Sequence, residues 1–116
     1  MNTGRYHLEQ GCDDYERQDF KSAIRNFHLA ARLGNTHAQV NLANMYDDGV
    51  GTVSNVKTAT YYYKRAIQQG NSNGAYNLAV SYRRRGKLRW ANYWLHRASV
   101  LGDEDATDAI ANGGWQ

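Results

Sequence analysis

The sequence contains no proline, a single cysteine and no apolar run of membrane-spanning length. Without proline, no residue forces a break inside a helix, so helix ends fall to the 11 glycines. With Cys12 alone there is no internal disulfide and no sign of an oxidising compartment. A lone cysteine on a helix reads as a small packing residue rather than a nucleophile. The first eleven residues hold no apolar h-region, which implies a cytoplasmic protein without a membrane partner.

Catalytic signatures are also missing. There is no His-Glu-x-x-His, no Cys-x-x-Cys, no Gly-x-Ser-x-Gly and no phosphate loop ending in Gly-Lys-Ser or Gly-Lys-Thr. His7, His28, His37 and His96 lack ligand spacing and read as surface or edge residues. Gly49-Val50-Gly51 lacks a third glycine and follows a helical pattern rather than a strand, so it reads as a turn. Asp47-Asp48 beside it reads as a solvated loop entry rather than a cation site. The expectation is a non-enzyme with no metal and no cofactor.

What is present is a chain of 116 residues, 41% apolar, with nine tyrosines, three tryptophans and a net charge of +3. That length fits one domain. The charge is milder than that of a dense nucleic-acid binder. The glycines recur: Gly34, Gly70 and Gly102 stand at steps of 36 and 32, each followed by Asn35, Asn71 or Asp103. A left-handed glycine ends a helix, and an Asn or Asp next to it caps the following one.

Four residues before these glycines stand Ala30, Ala66 and Ala98. Seven before stand Phe27, Tyr63 and Leu95, and eleven before stand Ala23, Ala59 and Ala91. Four after come Ala38, Gly74 and Ala106, eight after Leu42, Leu78 and Ile110, and nine after Ala43, Ala79 and Ala111. Each set lies on one helical stripe. A period in the thirties built of paired helices predicts an all-α fold, a right-handed α-solenoid of three antiparallel helix pairs plus a C-terminal helix. The repeats fall near residues 3–34, 35–70 and 71–102, with a terminal helix over 103–112 in which Ile110 and Ala111 face inward.

The middle unit, residues 36–71, resembles a Sel-one-like repeat, a relative of the tetratricopeptide repeat with a longer inter-helix loop. The matching residues are Ala38, Leu42, Tyr46, Gly49-Val50-Gly51, Lys57, Ala59, Tyr62, Tyr63, Ala66 and Gly70-Asn71. The third unit lacks the loop and resembles a plain tetratricopeptide unit. In the first, Gly11 holds the small-residue place and Tyr15 falls one position late. At the helix starts, Asn2 or Thr3, Ser54 or Asn55, and Ser72 are the expected caps. Tyr61 is expected to face outward, Tyr62 and Tyr63 inward.

Inner-helix positions opposite the packed stripe are His37, Val40, Asn41, Asn44 and Asp48, with Asp47 at the margin. Their counterparts in the third unit are Asn73, Tyr76, Asn77, Val80, Arg83 and Arg84, and in the first Arg5, Leu8, Glu9, Cys12, Tyr15 and Glu16. The resemblance implies that such positions line a concave groove holding a peptide or protein segment. Here the asparagines would hold an extended backbone and Tyr76 would anchor a side chain. Leu8, Val40 and Val80, expected to be exposed on this polar face, mark a contact surface.

The charges are segregated. Residues 83–97 carry Arg83, Arg84, Arg85, Lys87, Arg89 and Arg97 and no acid, whereas Glu9, Asp13, Asp14, Glu16 and Asp19 dominate the first 20 residues. The function expected is non-catalytic protein–protein interaction by a monomer or weakly self-associating chain, as adaptor, regulator or neutralising partner. The alternative is an RNA- or phosphate-binding helical repeat using the basic stretch.

Overall fold

The computed structural model describes residues 2–116. Within them are seven helices, α1 (Thr3–Glu16), α2 (Phe20–Arg32), α3 (Thr36–Asp48), α4 (Val56–Gln68), α5 (Ser72–Arg84), α6 (Leu88–Val100) and α7 (Glu104–Ala111), and no strand. The Asn or Asp after each stop glycine accepts a hydrogen bond from a first-turn backbone N–H. Asn35 takes that of Ala38, Asn71 that of Gly74 and Asp103 that of Ala106. Asn2 caps α1 in the same way and Asn55 caps α4. Ser72 does not cap α5, because Asn71 already holds that place and Ser72 is the first helical residue.

The chain divides into two compact units, one ending at Ala66 and one running Ile67–Gln116. In the first, α2 packs on both α1 and α3. Its core joins Ala23, Phe27, Ala30 and Ala31 of α2 to Ala38, Leu42 and Met45 of α3. Gly11 of α1 lets the Phe27 ring approach, since a Cβ there would stand 2.6 Å from two of the ring carbons. The displaced Tyr15 is accounted for as well. Asp14 occupies the expected tyrosine position and accepts a 2.8 Å hydrogen bond from Asn26 of α2. Tyr15 instead lies edge-on to Phe20, with ring centroids 5.1 Å apart.

The glycine loop is held at both ends. Gly49 ends α3 in the left-handed conformation, at φ 70°. The Asn55 N–H closes the loop by donating to the Tyr46 carbonyl at 2.8 Å. Gly51, at φ 74°, lies against Phe20, whose Cβ would be 2.8 Å from any added Cβ.

In the second unit α6 packs on α5 and α7. Ala91, Leu95 and Ala98 of α6 are buried, as are Leu78 and Ala79 of α5 and Ala106 of α7. Ile110 is half-buried. Ala111 is exposed, contrary to expectation, because it belongs to the last turn of α7, where the packed stripe runs out. The stripes read from the sequence are thus the core of each unit, and the architecture is an all-α solenoid of helix pairs.

Candidate functional site

Helix α3 departs from a simple one-sided wheel. Ala38, Gln39, Val40, Leu42, Ala43 and Met45 are all buried, and at 100° per residue they cover most of its circumference. Val40, expected on the open face, is only 2% exposed. The expectation assumed one covered face, whereas this helix is covered on more than one side. Gln39 lies in that interior with its side-chain amide donating to the Ala31 carbonyl at 3.2 Å. Leu8 is corrected too, since it packs against the first unit's core.

What remains open on α3 is a narrow strip, in which His37 and Asp48 are exposed and Asn41 and Asn44 half-buried. Asn41, Asn44 and Asp48 form one wall of a cleft of about 310 Å³. The opposite wall comes from α1, as Cys12, Tyr15 and Glu16. These are the α1 positions expected to correspond to the α3 face. The floor is apolar, made of Phe27, Met45 and Val50, and sequence reasoning had assigned none of these to a site. The Tyr63 hydroxyl donates to the Asn44 side-chain oxygen at 2.5 Å, which fixes the direction of that amide.

The cleft combines polar and charged side chains with an apolar floor. Burial raises the Cys12 thiol above its ordinary pKa, and Glu16, Asp13 and Glu9 raise it further. A thiol so placed stays protonated at neutral pH and is a poor nucleophile. Among the described residues no group of three or more His, Cys, Asp or Glu is placed to hold a metal ion. Glu16 and Asp48 place two carboxylates on its walls.

A second polar feature joins α2, α3 and α4. The ring of His28 is hydrogen-bonded on both sides, Nε2 with the Tyr46 hydroxyl at 2.9 Å and Nδ1 with that of Tyr62 at 3.4 Å. The two tyrosine rings lie nearly parallel at 6.4 Å. Burial lowers the His28 pKa and Arg32 lowers it further, while burial, with Tyr46 and Tyr61, raises that of Tyr62. His28 therefore serves as a neutral bridge between inner and outer helices. Tyr61 faces outward, at 54% exposed.

In the second unit, Asn73, Arg83 and Arg84 are exposed and Tyr76, Asn77 and Val80 half-buried. Tyr76 and Arg83 meet Trp115, a residue the sequence had left outside any site. The Tyr76 and Trp115 rings are edge-to-face at 5.9 Å, and the Arg83 guanidinium lies 3.9 Å above the indole centroid. Other members of the basic stretch also lie on rings. Arg85 stands over Tyr82 and donates to the Ser81 carbonyl, and Arg97 lies over Trp94 and donates to the Tyr93 hydroxyl. No helix among the described residues is long and apolar enough to cross a membrane.

A model of the Sel1 repeat matches residues 1–35 and 36–71. Chitin synthase regulatory factor 4 of Schizosaccharomyces pombe is 28% identical over 86 residues, which is 73% of this chain and 14% of that protein. The chain thus corresponds to a small part of that relative. The crystal structure of a Sel1 repeat protein from Oxalobacter formigenes has a TM-score of 0.75 at 23% identity, over 94% of this chain and 88% of that one. At that identity the likeness establishes the shared fold.

Proposed function

Because this chain belongs to the Sel1 repeat family, we propose that it is a non-catalytic protein-interaction module that holds an extended peptide segment in the α1/α3 cleft. The observation that carries the reading is the composition of that cleft. Asn41, Asn44 and Asp48 share it with Cys12, Tyr15 and Glu16 over a floor of Phe27, Met45 and Val50. Apolar floors with a few placed polar groups are what recognition sites are made of. Asparagine amides pair with a peptide backbone whatever its sequence, while Glu16 and Asp48 select a basic or neutral side chain. The regulatory role in the printed name of the fission-yeast relative accords with an adaptor or regulator.

Panning a random peptide library against the chain tests this reading. It should enrich a motif with a basic or neutral residue at one position. The double variant Glu16→Arg with Asp48→Arg should weaken the enriched peptide about tenfold, since exposed charge contacts are worth up to ~1 kcal/mol each. Equal binding by the double variant, or no enriched motif, would remove the cleft as the site.

A further inference from the structure

In the second unit the segment after α7 folds back so that Trp115 packs on residues of α5 and α6. Beyond α7 the chain reverses through Gly113 and Gly114, both in the left-handed region at φ 101° and φ 75°. Their N–H groups close the end of α7 by donating to the Ile110 and Ala109 carbonyls. The reversal carries Trp115 back to α5 and α6. There the side-chain amide of Asn92 contacts both backbone groups of Trp115. Its Nδ2 donates to the Trp115 carbonyl at 2.7 Å, and its Oδ1 accepts the Trp115 N–H at 3.0 Å. Nδ2 also donates to the Leu88 carbonyl at 3.0 Å, which fixes the amide in place. The indole meets the Tyr76 ring at 5.9 Å and the Arg83 guanidinium at 3.9 Å.

Three features set this contact apart from incidental packing. A single asparagine that takes both the N–H and the C=O of one residue holds a peptide backbone without reading its side chain. The side chain is read separately by Tyr76 and Arg83, which are two helical turns apart on one side of α5. Both belong to the face expected to meet a partner. The residue before the aromatic is restricted as well, because a Cβ on Gly114 would stand 3.1 Å from the Asn92 oxygen.

We propose that the Tyr76–Arg83–Asn92 site accepts a partner peptide carrying a Gly-aromatic pair with the glycine in the left-handed turn seen at Gly114, and that the segment 113–116 occupies it as an internal competitor. The proposal rests on the reading of this chain as a protein-interaction module, but concerns a different surface from the α1/α3 cleft. On α5 and α6 the segment is held only by the two Asn92 bonds and the indole contacts with Tyr76 and Arg83, so it opens more readily than the helices it covers. Tethering gives it a high effective concentration, so a partner binds only by outcompeting it. Removing the indole frees the site for an outside peptide.

The test uses the capped probe acetyl-Asn-Gly-Gly-Trp-Gln-amide in calorimetric titrations. Trp115→Ala should keep its helical signal and bind the probe at least tenfold more tightly than the unaltered chain. Adding Asn92→Ala to that variant should return binding to the unaltered level or weaker. In the unaltered chain, millimolar probe should shift the Trp115 indole N–H resonance toward its solvent-exposed position. Equal probe affinity with and without Trp115, or full affinity without Asn92, would overturn the inference. Loss of helical signal in Trp115→Ala with no indole shift in the unaltered chain would also overturn it, by making the segment a structural cap. The probe should bind Trp115→Ala equally well when Glu16 and Asp48 are reversed. Its failure beside successful enrichment at the α1/α3 cleft would therefore sink this inference alone.

Discussion

Gly11 has no room to grow. An added Cβ would lie 2.6 Å from the Phe27 ring, and Phe27 sits in the first unit's core with little freedom to move. Gly11→Ala is expected to lower stability by about 1–3 kcal/mol, despite alanine's better helix propensity. Urea denaturation measures this, and a gain in stability would show that the ring yields. His28 gives a second prediction, in pH. Its lowered pKa means that the folded chain gains this proton at lower pH than the unfolded chain. The stability tied to the neutral ring is complete above the ordinary pKa of about 6.5 and is lost as pH falls from there through the folded value. The thermal midpoint should therefore drop between about pH 7 and pH 5 more steeply in the native chain than in His28→Gln. Parallel slopes would place the linkage elsewhere.

At the scale of elements, the Gly49-Val50-Gly51 loop joins α3 to α4 and braces α2. Gly34 and Gly51 both have positive φ, but a Cβ on Gly34 meets nothing within 4 Å whereas one on Gly51 meets Phe20. Gly34→Ala is expected to cost about 1 kcal/mol, the strain of the left-handed backbone alone. Gly51→Ala should cost about 1–3 kcal/mol more, from the collision. Equal losses by denaturant titration would mean that the loop does not bear on α2. Helix ends and packed stripes were legible because glycine conformation, Asn and Asp caps and a 3.6-residue period are local properties. The environment of α3 was less so. Which sides of a helix are covered depends on what stacks against it, and Val40, judged from its own helix, was placed on the wrong side. The Asp14 and Tyr15 register was likewise settled by a residue of another helix, Asn26.

Over the whole molecule, the two units present unlike chemistry. The cleft of the first is walled in part by Glu16 and Asp48, while Arg83 in the second lies over an indole. Composition made that asymmetry of charge visible. It could not foretell that Trp115 returns to α5 and α6, because two glycines and a tryptophan after a helix specify a turn but not its destination. The repeat register put Asn41, Asn44 and Asp48 on one helix face, but it did not show the apolar floor beside them, since Phe27 and Met45 belong to the core pattern as well. In the proposed mode of binding, the open strip of α3 and its α1 counterpart receive a peptide. The most direct measurement is backbone amide mapping by two-dimensional NMR during titration with a library-selected peptide. The account predicts the largest shifts at Cys12, Tyr15, Glu16, Asn41, Asn44 and Asp48. Shifts concentrated on the outward side of α4 around Tyr61, with these six unmoved, would contradict it.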